Sequence, residues 1–337
     1  MSGGVDSSVA AALIKDMGYD CIGGTMKLFS HACVTDDDVR DAQKIAEKLG
    51  FPHFTFNFSG DFEKCVINRF VEAYEKGATP NPCVDCNRYI KFASLLEKAK
   101  ELGCDYIVTG HYARIEKCGD RFLLKKGLDE SKDQSYVLYS LTQYELSHTL
   151  LPLGSLSKDE VRELAENHGF VNASKKDSQD ICFVPDGDYA SFIERFTGKN
   201  YPKGDFVDKN GNVLGTHRGI IRYTVGQRKG LGLALPAPMY VMEKDIENNK
   251  VILASNDELF KDELYACDFN WIAENPETEF IAYAKPRYRA KEAKARIIPL
   301  EHNRVHIIFD EPQRAITRGQ AVVVYDGDTV IGGGTIE

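Results

Sequence analysis

Near the start of the chain, Ser2-Gly3-Gly4-Val5-Asp6-Ser7-Ser8 leads into a segment with the apolar spacing of a helix. Adjacent glycines let a backbone turn tightly and aim its amides at an anion. The start of a helix adds its positive end, and the hydroxyls of Ser2, Ser7 and Ser8 are donors for phosphate oxygens. Such a loop suits the phosphates of a nucleotide. It is not the Walker loop, which needs Gly-Lys-Ser/Thr; the plain alternative is a helix cap after a turn. Thiols are the second chemically able set. Cys83 and Cys86 are spaced C-x-x-C, and Cys182 lies far downstream. Thiolates and persulfides are strong nucleophiles at neutral pH, whereas a C-x-x-C pair with a distant third cysteine also suits an iron–sulfur cluster or a zinc site.

The elements that must position these residues alternate. Ser7 to Met17 reads as a helix ending at Gly18, and Cys21 to Phe29 as a strand. A helix over Asp36 to Leu49 has acidic residues at its start and Gly50 at its end. His53 to Phe58 reads as a strand, Asp61 to Lys76 and Ile90 to Leu102 as helices, and Asp105 to Thr109 as a short buried strand. Strands separated by helices predict a parallel sheet covered on both faces. A shorter helix is predicted over Lys158 to Asn167. From about Gly204 the pattern changes to short alternating runs, with hairpin signals at Asn210-Gly211 and Asp326-Gly327. Val251 to Ala254, Arg304 to Phe309 and Ala321 to Tyr325 read as strands, so the last third is expected to be a small sandwich or barrel.

Bulk properties set limits. The chain has 337 residues, 43% hydrophobic and 28% charged, which suits two or three domains with their own cores. No apolar run is long enough to span a membrane and no basic-then-apolar leader is seen, so the expected location is the cytoplasm. Nine cysteines in such a chain do not read as a disulfide framework, and most read as small buried apolar residues. A net charge of −9 argues against a broad nonspecific nucleic-acid binder but leaves local RNA patches open.

The loop Ser2 to Ser8 carries the SGGxDS signature and resembles the PP-loop ATP pyrophosphatases, whose members transfer AMP to a substrate oxygen. Further motifs narrow the resemblance. They are Thr79-Pro80-Asn81-Pro82-Cys83-Val84-Asp85-Cys86-Asn87, Thr109-Gly110-His111-Tyr112-Ala113-Arg114 and Lys132-Asp133-Gln134-Ser135-Tyr136. Downstream come Asp177-Ser178-Gln179-Asp180-Ile181-Cys182-Phe183, Tyr223-Thr224-Val225-Gly226-Gln227-Arg228-Lys229-Gly230 and Gly332-Gly333-Gly334. In this order, over essentially the whole chain, they resemble the tRNA-specific 2-thiouridylases of the MnmA and TrmU type.

That resemblance implies an α/β parallel-sheet PP-loop domain (adenine nucleotide α-hydrolase-like) over residues 1–195, a small β-rich central domain over 204–262 and a C-terminal β-barrel over 266–337. A phosphate loop of this kind follows a strand, and here it starts at residue 2; the sheet is therefore expected to have an empty central slot. The implied activity is conversion of the wobble uridine of tRNAs for Lys, Glu and Gln to 2-thiouridine, with ATP and Mg²⁺. Ser2, Gly3, Gly4, Val5, Asp6, Ser7, Ser8, Met26 and Gly110 are the implied ATP contacts.

For sulfur transfer the resemblance makes Cys182 the persulfide carrier and Cys86 the thiol that attacks it. Many relatives have Asp three residues before the first cysteine; this chain has Cys83. The departure leaves two routes open, a persulfide relay or a [4Fe-4S] cluster held by Cys83, Cys86 and Cys182, with zinc, aided by Cys104, as a minor third. The sulfur donor is expected to be a cysteine desulfurase or a sulfur carrier protein. The implied tRNA contacts are Asn81, Pro82 and Cys83 around a base flipped from its stack, His111, Lys132, Asp133 and Gln134, then Arg287 and Tyr288 as a phosphate track with a stacking platform, and Gln320. Rival readings are an amide-forming PP-loop ligase, which leaves Cys86 and Cys182 unexplained, and a noncatalytic RNA-binding protein with a metal-stapled C-x-x-C, which the intact loop opposes.

Overall fold

The computed structural model describes residues 1–29, 33–173, 181–274 and 276–337. Helix α1 (Val5–Asp16) begins at Gly4 with no side chain capping it, so its first amides stay open to a ligand. Strand β1 (Gly23–Lys27) is followed by α2 (Asp36–Leu49), where Thr35 and Asp38 form a reciprocal capping box and Gly50 closes the helix at φ 75°. Strand β2 (His53–Asn57) pairs parallel with β1, Gly23 opposite His53.

The next helical rod is interrupted. Helices α3 (Ser59–Phe62) and α4 (Asn68–Glu75) flank a π-helical turn over Glu63–Ile67. The following rod starts earlier than the apolar spacing suggests, at α5 (Pro82–Asp85), because Asn81 caps the Cys83 amide and Pro82 suits a first turn. It continues as a π-helix over Cys86–Ser94 and ends as α6 (Leu95–Glu101). Strand β3 (Ile107–Val108), the hairpin β4 (Ala113–Cys118) and β5 (Arg121–Lys126), helix α7 (Gln143–Ser147), strand β6 (Thr149–Leu150), and helices α8 (Lys158–Asn167) and α9 (Tyr189–Thr197) complete this part.

Among the described residues the parallel strands of this part form two separate pairs, β1–β2 and β3–β6. The first residues lie between them. The Met1 amine donates to Gly24 O, and Thr25 Oγ1 donates to Met1 O at 2.7 Å. On the other side the Asp6 and Ser7 backbone sits against Gly110, just past β3.

The middle sheet, ordered β8-β7-β10-β9, comprises β7 (Gly204–Asp208), β8 (Val213–His217), β9 (Tyr240–Asp245) and β10 (Lys250–Ala254). Its core residues Phe206, Tyr223 and Val241 share one apolar cluster with Phe62, Phe70 and Phe183, which fastens it to the α/β part. The last six strands are β11 (Phe260–Trp271), β12 (Phe280–Lys285), β13 (Ala293–Leu300), β14 (Arg304–Arg314), β15 (Ala321–Asp326) and β16 (Thr329–Ile336). They run antiparallel, and β11–β16 pairing closes the barrel. The hairpin β4–β5 extends this sheet through Thr329 opposite Lys125, so the barrel is anchored on a ribbon from the α/β part. No described helix is long and apolar enough to cross a membrane.

Candidate active site

The glycine loop is shaped by close approaches. Gly3 has φ +69°, and a Cβ there would meet Asp38 O at 2.6 Å. A Cβ on Gly110 would meet the Asp6 carbonyl carbon at 2.7 Å, so Gly110 lets the turn after β3 touch the loop. Ser7 and Ser8 donate to Gly4 O at 3.0 and 2.9 Å, and Ser2 Oγ lies 3.3 Å from Ser7 Oγ. Asn172, from the segment after α8, donates to Gly3 O at 2.9 Å and to Ser8 Oγ at 3.0 Å. Asp6 is engaged by two partners remote in sequence. Its carboxylate accepts from Tyr112 Oη and from Lys158 Nζ, each at 2.7 Å. Lys158, at the start of α8, is buried, and nothing in its local sequence except the preceding Ser157 cap marks its position. Met26 lies near the end of β1, half-buried against the apolar cluster that holds Cys86. The loop, Met26 and Gly110 thus lie at the carboxyl ends of parallel strands, where open α/β sheets bind ligands.

Cys83 and Cys86 lie on the neighbouring rod, and Cys182 lies in the turn before α9. Cys83 keeps exposed surface, Cys86 is buried, and Cys182 is exposed. The protein atoms around them still raise all three thiols. Burial pushes Cys86 up to about 12 and Cys83 in the same direction. For Cys182 the first cause is a hydrogen bond with Cys33, followed by burial. One cation opposes all three shifts, the ammonium of Lys91. Lys91 follows Cys86 by one hydrogen-bonded turn of the π-helix, in which bonds run i to i+5. Asp85, inside the C-x-x-C, turns to Arg69, 3.4 Å away. Among the described residues no group of three or more Cys, His, Asp or Glu side chains is gathered to hold a metal ion. The cluster expected at Cys83, Cys86 and Cys182 therefore finds no ready-made ligand set here.

Comparison with known proteins places this geometry. The tRNA methyl transferase HUP domain family matches residues 1–186, the tRNA methyl transferase PRC-barrel domain family residues 190–255, and the aminomethyltransferase beta-barrel domain family residues 261–336. A tRNA-specific 2-thiouridylase MnmA of Acetivibrio thermocellus is 52% identical over 350 residues, spanning 100% of this chain and 98% of its own length. The chain belongs to the tRNA-specific 2-thiouridylase family. A second MnmA, of Clostridioides difficile, is 49% identical and covers 100% of this chain and 96% of its own. Among solved structures, an NMN synthetase of Francisella tularensis aligns over 60% of this chain and 76% of its own with a TM-score of 0.34 and 18% identity, a likeness too slight to bear on function.

In this thiouridylase-family chain several segments expected to meet RNA are tied to the barrel, with Tyr288 near Cys83. Gln320 Nε2 donates to Thr79 O at 2.6 Å, and Thr79 N donates to Arg318 O at 2.8 Å, pinning the loop that carries Asn81 and Pro82. Tyr288 Oη donates to Asp133 O at 3.2 Å, and its ring lies 5.6 Å from Tyr136. Asp133 accepts from Gly127 N and Ser135 N, and Gln134 Oε1 accepts from Tyr112 N. Lys132 belongs to the same turn, its amide donating to Asp129 O. Two residues sit deeper than a surface contact needs. His111 is buried, lies 2.8 Å from Thr109 Oγ1 through Nδ1, and is pushed well below the usual imidazole range by burial and then by Lys91. The Arg287 guanidinium donates to Val225 O and Thr317 Oγ1, joining the barrel to the middle sheet. Sequence reasoning passed over Cys33, Lys91 and Lys158; only the acidic partner of Lys158, inside the SGGxDS signature, was in view. Residues 177–180 of the Cys182 motif lie outside the described residues.

Proposed function

We propose that the chain is an ATP-dependent tRNA-uridine 2-sulfurtransferase that converts the wobble uridine to 2-thiouridine. The observation that carries this reading is that Cys86 and Cys182, remote in sequence, share one electrostatic neighbourhood around Lys91. An amide-forming ligase has no use for such a pair.

Adenylation comes first. The uracil C2 oxygen attacks the α-phosphorus of ATP, an O–P bond forms, and pyrophosphate leaves. The open amides of α1 and the loop hydroxyls receive the phosphates, and Mg²⁺ enters with them. The oxygen at C2 then departs as part of AMP. Sulfur reaches the site as a persulfide on Cys182, supplied by a cysteine desulfurase or a sulfur carrier protein. A neighbouring thiolate, Cys86 in the family pattern, attacks the Cys182 sulfur and expels hydrosulfide, which attacks C2; the carbon–sulfur bond forms as AMP leaves. The target base is held between the Asn81–Cys83 turn and the barrel segment bearing Tyr288, with Lys132, Gln134 and Gln320 along the tRNA path. The substrates are the tRNAs for Lys, Glu and Gln, and the compartment is the cytoplasm in which they are used. The rival sulfur route, a cluster at Cys83, Cys86 and Cys182, differs by requiring bound iron and acid-labile sulfide.

The test is anaerobic incubation with tRNA, ATP, Mg²⁺, cysteine and a cysteine desulfurase, followed by nucleoside mass spectrometry and pyrophosphate measurement. The expected result is 2-thiouridine with pyrophosphate release that requires tRNA. Pyrophosphate release without tRNA, or no 2-thiouridine, overturns the reading. Iron and sulfide lost together with activity in Cys83→Ala, Cys86→Ala and Cys182→Ala decides for the cluster route.

A further inference from the structure

The turn Thr224 to Lys229 belongs to a prominent sequence motif and has no part in the site described so far. Gln227 builds it. Its Oε1 accepts from Thr224 N, its Nε2 donates to Lys229 O, and its own amide donates to Thr224 O, each at 3.0 Å. Gly226, at φ +87°, lies beside two guanidiniums: a Cβ there would come 3.5 Å from Arg314 Nη1 and 3.9 Å from Arg287 Nη1. The two cations therefore border one hollow that a side chain at 226 would fill. Arg287 is held through Nη2, by Val225 O and Thr317 Oγ1. Arg314 is held through Nε, by Asn256 Oδ1, and lies 5.0 Å over the Tyr240 ring. Among the described residues neither guanidinium has a carboxylate partner, and neither Nη1 has an acceptor. Burial, then Arg314, hold the Arg287 guanidinium below its usual range, a cost that no described acid offsets. Gly226 and Arg287 are partly exposed, and Arg314, Arg228 and Lys229 are exposed, so an anion can enter from solvent. Two forked donors at one hollow suit a phosphate. Arg287 is followed by Tyr288, whose ring keeps exposed surface, and a ligand that alternates phosphates with bases engages both.

We propose that Gly226, Arg287 and Arg314 seat one backbone phosphate of the tRNA where the middle sheet meets the barrel. This rests on the sulfurtransferase reading above and brings the middle domain into the RNA path. The two Nη1 groups donate to the phosphate oxygens, and the missing side chain at Gly226 leaves room for them. Arg228 and Lys229 carry the positive surface onward along the strand, which a polyanion exploits and a single free phosphate does not. No base edge is read here, so the seat sets the strength and register of tRNA binding and not the choice of sequence.

The experiment labels arginines of the full wild-type chain with phenylglyoxal and reads each site by peptide mass spectrometry. Labelling is done alone, with tRNA, with ATP and Mg²⁺, and with pyrophosphate. The expected result is that tRNA shields Arg314 while ATP and pyrophosphate leave it reactive. Filter binding of tRNA over a series of salt concentrations supplies the second readout. Arg314→Gln is expected to weaken binding about tenfold and to lower the slope of log affinity against log salt by about one, with ATP affinity unchanged. Arg314→Lys, which restores the charge, should recover the slope. Arg314 equally reactive with tRNA bound, or an unchanged slope in Arg314→Gln, overturns the seat and leaves the sulfurtransferase reading standing. Shielding by ATP or pyrophosphate alone also overturns it, since the hollow then takes a free phosphate and not RNA. A wild-type chain that binds no tRNA overturns the sulfurtransferase reading itself, and the seat with it. The labelling needs no variant, so a poorly folded Arg314→Gln does not protect the proposal.

Discussion

The Lys158 ammonium lies 2.7 Å from Asp6 Oδ1, so the first residue of α8 fixes a carboxylate in the first turn of α1. Tyr112 Oη takes the same oxygen at 2.7 Å. The glycine loop is thus held by two side chains remote from it in sequence. Lys158 is almost wholly buried and Asp6 partly exposed, so removing the cation leaves a carboxylate short of one strong partner. We expect Lys158→Met to raise KM for ATP about tenfold and to destabilise the fold by about 1–3 kcal/mol. Lys158→Arg should recover part of the KM. Steady-state pyrophosphate release against ATP concentration checks this; an unchanged KM with lowered stability would make the pair purely structural.

Lys91 is the cation that opposes the upward shifts of Cys83, Cys86 and Cys182. Without it, the causes that raise these thiols lose the one cation opposing them and every thiolate becomes scarcer. Lys91→Met should therefore slow single-turnover thiolation by about tenfold at pH 7.5, where each unit of thiol shift means tenfold less thiolate. The rate should recover as pH rises, moving the profile to the alkaline side, while tRNA-dependent pyrophosphate release stays near its original rate. A profile that keeps its midpoint would remove Lys91 from the sulfur step.

Legibility in the sequence followed locality. Helix α2 was readable because Thr35, the acidic run Asp36 to Asp38 and Gly50 all act within one turn of its ends. Helix α8 and the glycine loop were readable for the same reason. The π-helix at Cys86–Ser94 was not, since a register of bonds one residue wider leaves no clear mark in apolar spacing. Nor was the hairpin Ala113–Lys126 as part of the barrel, because its link is Lys125 opposite Thr329, remote in sequence. In the site, motifs named Cys86 and Cys182, but the contact of Cys182 with Cys33 and the inward turn of Arg287 depend on tertiary packing alone.

Tyr288 brings the barrel near Cys83. Its hydroxyl is held by Asp133 O, Lys285 Nζ lies 5.7 Å over its ring, and the ring keeps exposed surface. A base stacked on an aromatic ring gains about 1–3 kcal/mol. Tyr288→Ala should weaken tRNA binding about tenfold with ATP affinity unchanged, whereas Tyr288→Phe, which keeps the ring, should stay within about twofold. Filter binding at fixed salt measures both. Equal losses in the two variants would assign the effect to the Asp133 hydrogen bond and not to stacking.

Lys244 of β9 joins the middle sheet to the α/β part, its ammonium 3.5 Å from Ala78 O and 5.6 Å over the Tyr74 ring. Burial with no carboxylate partner among its causes lowers it from 10.5 to about 8. The sign follows from proton counting. Between those values the unfolded chain holds the proton more tightly, so this residue's contribution to stability rises with pH. Below about pH 8 the folded chain carries the full penalty, on the order of 2–3 kcal/mol. Above about pH 10.5 both states are neutral and the penalty is gone. Lys244→Met, which keeps the apolar stem, should therefore be more stable than wild type at pH 7, with Tm higher by about 2–4 °C. The gap between the two proteins should close as pH rises from 8 to 10.5. Paired thermal melts across pH 6–10.5 measure that gap, in which the shared alkaline titration of the buried thiols cancels. A gap that does not change with pH, or a variant less stable at pH 7, would mean that the contact with Ala78 outweighs the desolvation of the ammonium.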